Sequence, residues 1–218
     1  MIRTVSIVPA ILSNDKQDFR TQAERINAFT RRVQIDFSDG TLSPNATLDI
    51  TNIWWPKNWE TDLHMIVAHP SDYLETVLKL NPSLCICHAE AQEDLTPFFT
   101  ALKEAGIKCG LAFLPGTYPG NFKRYIDIVD HALVFAGTLG AQGGQANLMQ
   151  IEKIPLIRNM KPEIEIGWDG GANLSNVREL AHVDLDVINV GSAISAAEDP
   201  DAVFETLVSE IDKNGVVV

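Results

Sequence analysis

The sequence predicts a single (β/α)8 TIM barrel, and three observations carry that expectation. Eight short apolar runs recur along the 218 residues, and they are continuous rather than alternating, as strands of a parallel sheet covered by helices must be. Most runs are followed by a turn and then by apolar residues at helical spacing, so strand and helix alternate throughout. An open doubly wound sheet would carry a G-x-G-x-x-G turn after its first strand. Here the first run leads instead into Pro9-Ala10-Ile11-Leu12-Ser13.

The elements follow in order. Residues 5–8 form the first strand. Arg3 before an apolar run resembles the start of a leader peptide, but the run meets Pro9 and then polar residues 13–16, with no small-residue cleavage site. Phe19, Ala23, Ile26 and Phe29 or Thr30 give the first helical stripe. In the second strand, residues 33–37, Val33, Ile35 and Phe37 take one face while Gln34 and Asp36 take the other. Between Asn45 and Thr61 there is room only for a short helix, packed by Trp54, Trp55 and Trp59. Runs at 63–67 and 84–87 are followed by the stripes Tyr73, Leu74, Val77, Leu78 and Leu95, Phe98, Phe99, Leu102. Further runs lie at 107–113, 132–135, 164–168 and 187–190, and Val203, Phe204, Leu207, Val208 and Ile211 close the pattern. No linker or low-complexity segment interrupts residues 1–218, which are read as one barrel domain.

Composition narrows the function. Seventeen Lys and Arg against 29 Asp and Glu give a net charge of −12, and 45% of residues are hydrophobic. That charge disfavours nucleic-acid and anionic-membrane partners while permitting a local cationic pocket. No apolar stretch approaches the roughly 20 residues of a membrane span. Cys85, Cys87 and Cys109 are an odd number in a chain too large to need disulfides, so reduced core thiols in a cytoplasmic protein are expected. A homo-oligomer stays open, with the tryptophans as a minority contact surface.

Barrel enzymes work at the carboxyl ends of their strands. Asp36, His64 and Asp169 all stand where an apolar run ends. Strands two and seven lie three steps apart around an eight-membered ring, so the two aspartates face each other across the mouth. Two carboxylates and an imidazole hold a divalent cation or exchange protons. One carboxylate removes a carbon-bound proton beside a carbonyl, and the other returns one to the opposite face through a metal-stabilised enediolate. The outcome is epimerisation. Three glycine turns, Gly143-Gly144, Gly170-Gly171 and Gly191-Ser192, follow strands six, seven and eight and suit a phosphate group. Asp39-Gly40 reads as turn chemistry, and His88 as a polar strand-end residue near the site. Glu90 is read equally as a mouth residue or a solvated carboxylate, while His69, His131 and His182 belong on exposed turns or helix ends.

These residues carry a family resemblance. Residues 9–13, the string Asp36-Phe37-Ser38-Asp39-Gly40-Thr41-Leu42-Ser43-Pro44-Asn45, residues 62–65, Gly143-Gly144-Gln145, residues 168–171 and residues 191–194 resemble the ordered signature of ribulose-phosphate 3-epimerases. The resemblance implies interconversion of ribulose 5-phosphate and xylulose 5-phosphate with a divalent metal, whether zinc, iron, manganese or cobalt. Asp36 and Asp169 would be the acid and base, and Gln34, Asp36, His64 and Asp169 would occupy the metal-ligand positions. His64, Gly143, Gly144, Gly170, Gly171, Gly191 and Ser192 would contact the phosphorylated ketose. Departures fall close to the chemistry. Gln34 stands where the family has a metal-binding histidine, and Ala10 where it has a serine. Ser38 and Ile66 replace methionines, Met65 being retained, and Gly140-Ala141-Gln142-Gly143-Gly144 replaces P-G-F-G-G. A neutral amide oxygen is a weaker donor to zinc or iron than imidazole, so the alternative is a divergent phosphosugar-binding barrel with another reaction or none. A decarboxylase or aldolase would need a lysine at a strand end, and none is found there.

Overall fold

The structure is a computed structural model that describes residues 4–141 and 143–212. Met1, Ile2 and Arg3 of the leader-like start, and Gln142 of the sixth loop, lie outside the described residues. Eight parallel strands close into a barrel in sequence order. They are β1 Ser6–Ile11, β2 Arg32–Ser38, β3 Glu60–Ile66, β4 Leu84–His88, β5 Lys108–Phe113, β6 His131–Phe135, β7 Glu165–Asp169 and β8 Val187–Val190. β8 closes the ring against β1, with Ser6 opposite Val187 and Pro9 opposite Val190.

The outer ring contains α1 Lys16–Ile26, α2 Leu74–Leu80, α3 Thr96–Glu104, α4 Lys123–Ile126, α5 Lys153–Met160, α6 Val177–Leu180, α7 Ser192–Ser195 and α8 Pro200–Asp212. α1 starts where the Asp15 carboxylate accepts the backbone N–H groups of Gln17 and Asp18, both at 2.8 Å, which satisfies donors the helix itself cannot. It buries Phe19, Ala23 and Ile26 on the strands. The second unit has only a single 3-10 turn, Ile50–Asn52, as the short connection predicted. Trp59 is buried there and its indole donates to Asn27 Oδ1 at 2.9 Å, whereas Trp54 remains 42% exposed. α2 is seven residues long and buries only Val77. Leu78, expected on its inward stripe, is exposed instead, because so short a helix presents little more than one turn to the sheet.

Inside the barrel the side chains stack in layers. Gly110 and Gly167 make room for larger neighbours: a Cβ on the first would lie 2.8 Å from Ile86 Cγ1, and on the second 2.7 Å from His131 Nε2. At the amino-terminal floor Arg32 donates to Asp62 Oδ2 at 2.9 Å and grips both oxygens of Glu165 at 2.8 and 2.7 Å. His131 Nδ1 lies 2.7 Å from Glu165 Oε2. His131 is therefore a buried floor residue and not on an exposed turn; the first position of a strand points inward here, and the neighbouring carboxylate makes its burial tolerable. His69 and His182 are exposed as expected. Cys85, Cys87 and Cys109 are all buried and free. Among the described residues, no helix is long and apolar enough to cross a membrane.

Candidate active site

Strand alternation turns Gln34, Asp36 and Ser38 of β2 into the barrel. The register sets Asp36 beside His64 of β3, while Asp169 of β7 stands beside Asn189 of β8. The Gln34 amide, fully buried, donates from one nitrogen to Asp36 Oδ1 at 2.9 Å and to Asp169 Oδ2 at 2.7 Å. His64 Nδ1 is 3.0 Å from Asp36 Oδ1 and 3.6 Å from Asp169 Oδ2. One donor atom from each of Asp36, His64 and Asp169 lies within 4.8 Å of the others. The four residues that the sequence singled out from three strands thus meet at one point.

Burial governs their charge. It pushes the Asp36 carboxyl up to about 7, opposed by the hydrogen bond from Gln34. Asp169 is pushed up to about 6, by burial first and then by the charge of Asp36. His64 is held down to about 4 by burial, despite the pull of Asp169, so its imidazole is neutral at physiological pH.

Glycine shapes the rim. Gly170 and Gly171 adopt φ of +115° and +70°, a region costly for residues with a side chain. A Cβ on Gly170 would lie 2.1 Å from the Gly137 nitrogen, and one on Gly171 2.2 Å from the Ala146 nitrogen. The seventh turn therefore packs backbone against backbone on the sixth loop. Gly143, Gly144, Gly170, Gly171, Gly191 and Ser192 line the same cleft as Asp36 and Asp169. From the other side, Ser43 Oγ donates to the Leu139 carbonyl at 3.1 Å and Asn45 Nδ2 to the Gly140 carbonyl at 3.2 Å.

Ala10 and Ile66 line the cleft, as do Gly140, Ala141, Gly143 and Gly144 of the sixth loop. The Ser38 hydroxyl is spent on the Asn45 carbonyl at 2.8 Å. Met65 does not cover the site: it alternates with His64, so it packs outward, where Cys85 Sγ meets its sulfur at 3.4 Å. Asp39 accepts the backbone N–H of Thr41 at 2.8 Å and the hydroxyl of Tyr73 at 2.9 Å, so it builds the turn as expected. His88 goes further than its sequence reading, with Nε2 2.8 Å from His64 Nε2. Glu90, two residues on and hence on the same face, lies behind it, its Oε2 3.3 Å from His88 Nδ1. Sequence reasoning missed Asn189, whose buried Oδ1 has no hydrogen-bond partner among the described residues. A lone amide inside the apolar run 187–190 was the available signal.

Two carboxylates and a neutral imidazole thus lie at the carboxyl-terminal mouth of a closed barrel, bordered by three glycine turns, the arrangement of a barrel enzyme. The model of the family described as "Ribulose-phosphate 3 epimerase family" matches residues 6–195. The chain belongs to the ribulose-phosphate 3-epimerase family, and it is an isomerase, a phosphosugar epimerase. It is 26% identical over 212 residues to the ribulose-phosphate 3-epimerase of Helicobacter pylori strain J99, covering 93% of this chain and 96% of that one. It is also 26% identical over 214 residues to the cytoplasmic isoform from Oryza sativa subsp. japonica, covering 94% of each. KGPDC from Streptococcus mutans superposes with a TM-score of 0.76 at 11% identity, over 98% of this chain and 100% of that one. The 3-hexulose-6-phosphate synthase of Salmonella typhimurium gives 0.72 at 15%, over 96% and 99%. At such identities these two likenesses show the fold alone.

The family is generally dependent on a divalent metal, and the donor set fits one. Asp36, His64 and Asp169 offer two oxygens and a nitrogen, a combination suited to first-row divalent ions. Gln34 presents N–H toward both carboxylates, while its Oε1 is buried with no partner among the described residues. Turning the amide end for end would bring that oxygen to the carboxylates, an arrangement favourable only with a cation between them.

Proposed function

We propose that this enzyme epimerises C3 of a ketose phosphate, with D-ribulose 5-phosphate and D-xylulose 5-phosphate as the interconverted pair. The observation that carries the reading is the convergence of Asp36 and Asp169, from strands on opposite sides of the mouth, on a cleft bordered by glycine turns. One carboxylate, ionised, takes the proton from C3 of the bound sugar; the other, protonated, delivers a proton to the opposite face of the same carbon. The net change is inversion, with one proton gained by the first residue and one lost by the second. Burial suits them to this exchange, since carboxyls raised to about 7 and about 6 are poised near neutral pH.

His64, neutral and buried, contacts the reacting end of the substrate, and with Asp36 and Asp169 would hold the metal, Gln34 supplying a fourth donor through Oε1. A divalent ion there, whether zinc, iron, manganese or cobalt, would supply positive charge to stabilise the negative charge that develops on the substrate. Gly143, Gly144, Gly170, Gly171, Gly191 and Ser192 bind the phosphate through backbone N–H groups that close approach makes available. The same reading takes residues 1–218 as one barrel domain working in the cytoplasm, where its free thiols remain reduced.

The test is incubation with ribulose 5-phosphate in D2O, with and without added divalent ions, followed by NMR. Deuterium at C3 together with xylulose 5-phosphate is the expected result. Folded protein that binds the sugar phosphate but exchanges nothing under any metal condition would overturn the reading in favour of another reaction or a binding protein.

A further inference from the structure

We infer that Glu90 and His88 are positioning residues that fix the tautomer of His64, so that its Nδ1 presents a lone pair to the point where Asp36 and Asp169 converge. The inference deepens the proposed function by taking that point as the cation position, and its ground is the direction of a hydrogen-bond chain.

The chain starts from a group that can only donate. The backbone N–H of Leu114, at the end of β5, meets Glu90 Oε1 at 3.0 Å, and the Thr117 hydroxyl donates to the same oxygen. Glu90 Oε2 is left to face His88 Nδ1 at 3.3 Å. A carboxylate held this way accepts, so His88 carries its proton on Nδ1 and a lone pair on Nε2. That lone pair lies 2.8 Å from His64 Nε2; both rings are fully buried and nearly parallel, at 27° with centroids 5.0 Å apart. The contact requires one proton between the two nitrogens, and His64 Nε2 is the side that supplies it. A neutral His64 then has no proton on Nδ1, so in its 3.0 Å contact with Asp36 Oδ1 the carboxyl is the donor, and a cation bound at that point takes the proton's place. Metal-binding imidazoles typically donate their second N–H to an acceptor behind them; here the acceptor is a second imidazole, itself oriented by a carboxylate on a neighbouring loop.

Glu90→Gln is the informative change, because it keeps shape and reverses direction. The Leu114 N–H would hold the new amide's oxygen, turning its NH2 toward His88 Nδ1. His88 would then protonate on Nε2, and His64 on Nδ1, placing a proton where the cation belongs. Two readouts that need no sugar test this: the ring tautomers of His88 and His64 by long-range 1H–15N NMR on labelled, metal-free protein, and Mn2+ or Zn2+ affinity by calorimetry. In the unsubstituted protein His88 is expected as the Nδ1–H form, switching to Nε2–H in E90Q, with metal affinity falling by about ten- to a hundredfold. An unsubstituted His88 protonated on Nε2, or metal affinity in a folded E90Q within about twofold of the original, would overturn the inference. Failure of ribulose 5-phosphate to turn over would leave both readouts intact, so the two readings can fail separately.

Discussion

Replacing Asp169 by Asn should make the metal-stripped protein more stable while destroying its activity. The carboxylates of Asp36 and Asp169 offer oxygens no more than 4.8 Å apart, both largely buried. Two unit charges at that distance repel by about 3 kcal/mol at an effective dielectric constant near 20. Asn keeps an oxygen to accept the Gln34 N–H, so the charge is what the substitution removes. The effect depends on pH in a definite direction. Both folded-state values, about 7 and about 6, lie above those of an unfolded aspartate, so their contribution to stability is complete below about pH 4 and is lost as pH rises through 7. Without metal, the unsubstituted protein should therefore be less stable at pH 8 than at pH 5. Asp169→Asn should recover about 2 kcal/mol at pH 8, roughly 1 M in urea midpoint, and much less at pH 5. Turnover should fall by at least about a thousandfold. Urea unfolding in chelator at both pH values, alongside the epimerisation assay, reads both quantities. An unchanged or lowered midpoint at pH 8 would show that no repulsion is stored at the mouth. Activity within tenfold of the original would remove Asp169 from the acid–base pair.

Other substitutions test separate parts of the molecule. Gln34→His should tighten Mn2+ or Zn2+ binding by at least about tenfold in calorimetry, because imidazole is the better donor; unchanged affinity would place residue 34 outside the coordination shell. Arg32→Met strips the buried Asp62 of its partner and should cost about 3 kcal/mol in denaturant unfolding, whereas a loss below about 1 kcal/mol would mean that water compensates the floor carboxylates. Gly170→Ala, at a φ of +115° and against the Gly137 backbone, should raise KM for the sugar phosphate more than about tenfold with the barrel intact. An unaltered KM would separate this turn from the phosphate.

The barrel was legible because burying both faces of a parallel sheet leaves an unmistakable mark, a run of apolar residues with nothing polar to spare. Wherever a polar residue interrupted such a run near its end, as Asp36, His64 and Asp169 do, it proved to face the mouth. Directions along the strands were harder to read. His131 looked like a turn residue because it precedes its run, yet it points inward to Glu165. Met65 belongs to the same motif as His64, but two-residue alternation sends it outward. The partnership of Glu90 with Leu114 and Thr117 spans 24 and 27 residues, and no spacing rule links a carboxylate to a backbone amide on the next strand.

The floor of the barrel has a bearing on the chemistry at its opposite end. Arg32, Asp62, His131 and Glu165 begin or nearly begin β2, β3, β6 and β7. Three of those strands carry Asp36, His64 and Asp169 toward the mouth. Asp36 lies four positions beyond Arg32, and Asp169 four beyond Glu165, a rise of about 13 Å, so each of these strands is a rod pinned at its base. A slip of one strand against another would have to break the charged clamp below before it could misalign the carboxylates above. Pinned this way, the mouth can take substitutions, as at residues 10 and 34, while the rods that carry the two carboxylates keep their alignment.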